Sequence, residues 1–267
     1  MIESSFRIVP GVGAELEARI WRSGIRRWSD YPASRPDPVP APVHERLLAA
    51  LPRAAERLAA RDADALATML PRAERWRLYA TFREEAAFLD VECDGGAVVA
   101  VGVLDARGPR IFLAGRDLPD FPEHARGWKL LGTYNGLSFD VPVLREAFRS
   151  WRPPRAHVDL RHLWSRLGHA GGLKHLERET GVGRAPELDG LDGGGAVRLW
   201  RAHLRGDAAA LRLFAEYNLH DAVNLRTLLD LGYNRMIERL RLPASPVPVS
   251  ERGDVRYDMT KAVLSLG

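Results

Sequence analysis

The chain has 267 residues, enough for one full domain plus an appendage, and its 46% hydrophobic content supplies ample core material. Formal net charge is +4, with nearly all the positive charge on arginine, a residue that suits phosphate contacts, although so small an excess is also ordinary for a soluble protein. The single cysteine, Cys93, excludes an internal disulfide framework and fits a reducing cytoplasm, and no stretch reads as a membrane span or a signal peptide. In chain order, Pro10-Gly11-Val12-Gly13 precedes an amphipathic helix from Ala14 to Ser23, closed by Gly24-Ile25. The proline-dense stretch from Pro32 to Pro42 reads as an extended linker. Short helices are expected over His44–Leu51, from Pro52 to about Ala60, and over Asp62–Leu70, with Pro52 dividing the first two.

Residues 86–91 form a short apolar run typical of a buried strand, and Ala97–Leu104 and Arg110–Leu113 follow as strands after glycine-containing turns, giving an antiparallel meander. Alternation on a strand turns Asp90 and Glu92 to one face. Lys129–Tyr134 is a further apolar run ending in Asn135-Gly136. A helix is expected over Phe139–Phe148, with Ser138 as its cap and Pro142 in its first turn, so Asp140 falls at a helix N-terminus just past a strand end. Asp159 ends another strand-like run and is expected to cap a helix beginning near Leu160, with a role in assisting the acidic site as its alternative. The glycine-rich stretch 189–195 reads as a loop. Ala208–Leu231 is a long helical stretch on which Tyr217 and Asp221, four apart, share a face.

Carboxylates are costly to cluster unless a cation neutralises them. Asp90, Glu92, Asp140 and Asp221, placed at strand ends and on one helix face, therefore point to a divalent metal site. Hard oxygen donors throughout select Mg²⁺ or Mn²⁺. Taken singly, Asp140 also fits a helix cap, Tyr217 a core tyrosine and Asp90 a turn residue. His157, His162, His169 and His175 lack the cysteine partners and spacing of a zinc site.

The three segments Asp90-x-Glu92, Tyr134-Asn135-Gly136-Leu137-Ser138-Phe139-Asp140 and Tyr217-x-x-x-Asp221 together resemble the ribonuclease-H-like DEDD exonucleases. The tyrosine matches the DEDDy branch. The histidine branch would need a histidine at 216, where this chain has Glu216. His157-Val158-Asp159-Leu160, Gly172-Leu173-Lys174-His175-Leu176-Glu177, and Arg184 with Asp189-Gly190 are similar to the bacterial YprB-type subgroup, and the resemblance spans roughly residues 81–235. One departure follows Glu92, where Cys93-Asp94-Gly95-Gly96 replaces the small hydroxyl residues and glycine usual in that family.

The resemblance implies an α/β fold, a ribonuclease-H-like mixed sheet flanked by helices, here with a helical N-terminal appendage. It also implies two-metal 3′→5′ hydrolysis of single-stranded DNA or RNA from its end. Asp90 would bridge both ions, Glu92 and Asp221 would hold the ion that activates water, Asp140 would act through coordinated water, and Tyr217 would orient the attacking water. The rivals are a non-catalytic nucleic-acid-binding module that keeps the fold, and an enzyme of small oligonucleotides. Pro10–Gly13 with the following helix resembles half of a helix-hairpin-helix element, in which the N–H groups of the turn at Gly11 and Gly13 and of the helix N-terminus would meet a phosphate, with Arg19, Arg22, Arg26 and Arg27 adding charge close by. A plain packing unit is the alternative. Lys174 either reaches a substrate phosphate or is a solvated lysine at a helix start. The expected organisation is a helical region over 1–80, an exonuclease domain over 81–240 and a surface extension over 241–267.

Overall fold

The alternation at residues 86–92 belongs to the central strand of a five-stranded sheet. A computed structural model describes residues 1–183, 188, 190–191, 193–250 and 262–263. The strands are β1 (Ala86–Asp94), β2 (Ala97–Asp105), β3 (Gly108–Leu113), β4 (Leu130–Thr133) and β5 (His157–Asp159), ordered β3-β2-β1-β4-β5. The meander β1-β2-β3 is antiparallel, whereas β4 runs parallel to β1 and β5 parallel to β4, so the sheet is mixed as expected.

The N-terminal region carries α1 (Ala14–Arg22), α2 (Ala41–Ala59), α3 (Ala63–Met69) and the short α4 (Tyr79–Phe82). Around the sheet lie α5 (Phe121–His124), α6 (Asp140–Ala147), α7 (Leu160–Arg166), α8 (Leu173–Thr180), α9 (Gly193–Leu204) and α10 (Ala208–Arg239). Alternation on β1 decides which layer meets which. Leu89 and Val91 face one way, into a core with Val101, Phe112, Phe121, Leu144 and Trp151. Phe88, Asp90 and Glu92 face the other way, towards α10, which lies across β1 and β2.

The appendage shares its core with the sheet. Phe6, Ile20, Trp28, Leu47, Leu66 and Trp76 are buried in one cluster with Phe88, Leu130, Val158 and Tyr233. At its centre the fully buried Arg77 guanidinium donates to Glu17 (2.9 Å), to Glu74 (2.7 Å) and to the Ser5 hydroxyl (3.0 Å). Three buried charges are tolerable there because each is hydrogen-bonded to an opposite one.

Several local expectations change. Pro52 does not divide a helix: α2 runs unbroken through it. Leu47, Leu51 and Ala54 anchor one face in the core, while Pro52 and Leu48, whose carbonyl loses its partner, face solvent that can satisfy it. Ser138 does not cap α6, whose flanking residue is Phe139 with no side-chain cap. α10 extends eight residues past Leu231, because Gly232 is a point of close approach rather than a stop. A Cβ there would lie 2.9 Å from Leu163 and 3.2 Å from the Trp164 indole nitrogen of α7. Gly193–Gly195 form the first turn of α9 rather than a loop. Asp159 does cap α7, accepting from Arg161 N–H at 3.1 Å. Among the described tail residues, Val247 exchanges backbone hydrogen bonds with the Asn234 side chain and Ser250 binds Asp230 and Thr227, so this segment lies along α10.

His157 on β5 is 8% exposed and hydrogen-bonded through Nε2 to Thr133 Oγ1 (2.8 Å), and burial pushes its imidazole down from the ordinary 6.5 to about 4. The unfolded chain thus takes up a proton that the folded chain refuses, and stability rises with pH through this window and is lost on acidification. Denaturant melts between about pH 7 and pH 4 should show the wild type losing up to about 3 kcal/mol more than His157→Gln. Parallel profiles would show that His157 carries no such linkage.

Candidate active site

β4 stops at Thr133, one residue beyond its last pairing with β1, Phe88 opposite Gly132. The next part of β1 therefore has no strand on that side. Asp140, the first residue of α6, takes the vacant place: its Oδ1 accepts from the Val91 N–H at 3.0 Å. The intervening loop is fixed by Asp159, whose carboxylate accepts from the N–H groups of Asn135 (2.9 Å) and Leu137 (3.1 Å), with Asn135 in the left-handed region. A strand end, a helix start and a clamped turn thus set Asp140 beside Asp90 and Glu92.

α10 brings the other members. Tyr217 and Asp221 are 2% and 5% exposed, and between them Asn218 donates from Nδ2 to Asp90 Oδ2 (2.8 Å) and to the Asp90 carbonyl (3.2 Å). Asn218 gets this close because the β2 residue paired with Asp90 is Gly102. A Cβ on Gly102 would collide with the Asn218 amide oxygen and sit 3.0 Å from the Asn218 carbonyl. Gly102→Ala should therefore push α10 off the sheet, destabilising the protein by about 1–3 kcal/mol as overpacking does and loosening Asp90. Thermal melts alongside activity check this, and an unchanged melting temperature would show that the helix yields freely.

Electrostatics mark these carboxylates as one group. Burial first, then the charges of Asp221, Asp140 and Glu92, push the Asp90 carboxyl well above its usual range, with the Asn218 hydrogen bond opposing. Burial and Asp221 push Glu92 up to about 8, against the pull of Lys174. Burial pushes Asp140 up to about 7, opposed by its own backbone N–H and that of Val91. The Cys93 thiol is driven to about 11 by burial and then by Glu92, Asp140 and Asp90. Such a field calls for protons or a cation. Lys174, the cation that opposes it at Glu92, has its ammonium 2.5 Å from the Tyr217 hydroxyl, 2.7 Å from the Leu191 carbonyl and 3.8 Å above the Tyr217 ring centroid.

Among the described residues no three His, Cys, Asp or Glu side chains form a ready-made metal shell. The donor chemistry nevertheless fits a divalent ion: hard oxygens, mostly buried, with negative charge in excess. Asp94, the additional acid after Glu92, is set apart by an irregularity in the β1-β2 register at Glu92/Cys93 and is held by Arg201 of α9 at 2.7 Å.

The structure does not bring the N-terminal candidates into this group. Gly11 (φ +96°) packs against Val43 and Arg46 of α2, Gly13 flanks α1, and Arg19 is exposed on α1. Arg184 and Asp189 lie outside the described residues. Sequence reasoning missed Asn218 and Gly102. Asn218 had one signal, a polar residue three before Asp221 on a helix and so on a shared face, whereas Gly102 had none, since only the pairing with Asp90 reveals it.

A model of the RNase H superfamily matches residues 87–233, from β1 through most of α10. The chain belongs to the RNase H superfamily. Its mixed five-stranded sheet with flanking helices is an RNase H-like fold, and RNase H-like proteins are usually nucleases that bind nucleic acid and use divalent ions. Among solved structures, a family B DNA polymerase from the hyperthermophilic archaeon Pyrobaculum calidifontis is 19% identical with a TM-score of 0.42, over 58% of this chain. The match spans 24% of the polymerase chain. No curated protein matches the chain. No helix among the described residues of this RNase H-like chain is long and apolar enough to cross a membrane.

Proposed function

We propose that this RNase H-like chain is a metal-dependent exonuclease of the DEDDy type, of the YprB-like subgroup, that hydrolyses single-stranded DNA or RNA in the 3′→5′ direction. The observation that carries the reading is the convergence of Asp90, Glu92, Asp140 and Asp221, from three separate segments, into one another's field. These four carboxylates would hold two Mg²⁺ or Mn²⁺ ions, which supply Lewis-acid stabilisation to the attacking and leaving oxygens of an in-line displacement. Asn218 holds the Asp90 carboxylate in place, and the Val91 N–H does the same for Asp140. Tyr217 orients the attacking water through its hydroxyl, and Lys174 fixes where that hydroxyl points. A phenol with an ordinary pKa of about 10 serves as an orienter rather than a base.

Single strands of DNA and RNA labelled at the 5′ end test the reading. Degradation should yield a ladder that shortens from the unlabelled end, vanish with exhaustive chelation and return with Mg²⁺ or Mn²⁺. Full activity after chelation would remove the metal from the mechanism. Immediate release of a labelled mononucleotide would reverse the polarity. Tight binding without cleavage under any metal would favour a binding module that keeps the fold alone.

A further inference from the structure

A second concavity, of about 310 Å³, opens between the appendage and the ends of β5 and α7. Its rim carries Arg72 and Arg75 from the turn before α4, and His162 and Arg166 from α7. Leu137 forms part of its wall, three residues before Asp140 in the same clamped loop. In open α/β sheets ligands gather outside the carboxyl ends of parallel strands, and all of β5, up to Asp159 at its carboxyl end, lines this concavity.

The charge there is poorly compensated. Arg72 and His162 are exposed, and among the described residues neither forms an ion pair. Arg75 gives its Nε to the Ala67 carbonyl at 3.2 Å. Its guanidinium is held below its usual range by burial and then by the like charges of Arg72 and Arg155, with Asp64 opposing. Arg166 is partly neutralised by Glu74 at 3.1 Å. The carboxylate in the lining, Asp159, is turned to the N–H groups of Asn135, Leu137 and Arg161. Leu137 in the cleft wall and Phe139, next to Asp140 in the chain, are exposed at 40% and 44%, an apolar edge and an aromatic ring on the loop that runs from the cleft to Asp140. Cations that meet phosphates, next to rings that meet bases, are the general form of a single-strand path.

We infer that this cleft holds the phosphodiester backbone of the strand whose end lies at Asp140, with the appendage supplying two of its cations. The inference rests on the nuclease reading for the orientation of the strand, but the binding surface stands apart from catalysis. It gives the appendage a role through Arg72 and Arg75 rather than through the glycine turn at Gly11 and Gly13.

The test is equilibrium binding of fluorescent oligothymidylate and oligouridylate, each roughly 16 nucleotides, to the full chain in chelator over a salt series. Each single-strand phosphate contact contributes about 0.7 to the log–log salt slope. Arg72→Ala/Arg75→Ala should therefore lower the slope by about 1.4 and weaken binding about tenfold at low salt. Arg72→Glu, at an exposed position where folding is not at stake, should weaken binding in the same direction, while Arg53→Glu on the exposed side of α2 should not. With Mg²⁺, Arg72→Glu should raise KM for the long strand. Unchanged affinity and slope in Arg72→Glu would overturn the cleft while leaving the nuclease reading intact if the wild type still cuts. Loss of binding in Arg72→Glu from a wild type that cuts nothing would uphold the cleft and sink the nuclease reading. A response to one polymer alone would identify the cleft as specific for DNA or for RNA.

Discussion

Asp90→Asn should lower turnover by about 10³-fold or more, while the metal-free variant melts at a higher temperature than the wild type. Loss of one preorganised electrostatic group typically lowers kcat by about 10²–10³-fold, and a carboxylate serving two ions should lie at or beyond the upper end. The stability change runs the other way for the same reason. In the absence of metal, desolvation first and then the charges of Asp221, Asp140 and Glu92 raise the pKa of Asp90. Asparagine keeps the shape and the hydrogen bond to Asn218 but removes the repelled charge. Metal should then stabilise the variant far less than the wild type, since a ligand stabilises only in proportion to its affinity for the folded state. Melting curves in chelator and in Mg²⁺, run beside single-turnover rates, decide the matter. A variant that keeps the wild-type Mg²⁺ shift and stays within about tenfold of its rate would show that Asp90 is no bridging ligand.

Tyr217→Phe should separate chemistry from metal binding. The substitution removes one hydroxyl and leaves a ring that stays packed, with the Lys174 ammonium still above it. The carboxylates are untouched, so the Mg²⁺ shift in melting temperature should remain near that of the wild type. The rate should fall by about 10²–10⁴-fold, the usual loss for a positioned catalytic group. Lys174 loses its 2.5 Å partner but keeps the Leu191 carbonyl. Full rate in Tyr217→Phe, or a loss of metal as severe as that of Asp90→Asn, would remove Tyr217 from the role of orienter.

Periodicity alone made much of this site legible. Strand alternation put Asp90 and Glu92 on one face, and helical spacing put Tyr217 and Asp221 on another, because both patterns depend on the backbone and not on distant partners. The order of the meander was legible for the same reason. What the chain hid depends on contacts far apart in sequence. Gly102 matters through its pairing with Asp90 and the approach of Asn218, more than a hundred residues later. Pro52 misled because helix breaking is weighed locally, whereas the buried face of Leu47, Leu51 and Ala54 outweighs one lost hydrogen bond. Ser138 misled in the opposite sense: Asp140 is held by a β1 N–H that no helix-cap rule considers.

The buried guanidinium of Arg77 limits how this protein can be trimmed. Its partners Ser5 and Glu17 come from the first thirty residues, and Glu74 comes from much later. A shortened chain beginning after residue 30 would strip Ser5 and Glu17 from that cation, and breaking a buried pair costs about 3–5 kcal/mol, a large share of the 5–15 kcal/mol that holds a typical domain together. Such a chain would also bare the surfaces that Phe6, Ile20 and Trp28 cover. The opening segment is thus a condition of folding before it is an accessory of function. A lineage or an engineer wishing to discard it would have to rewrite positions 74 and 77 in the same step.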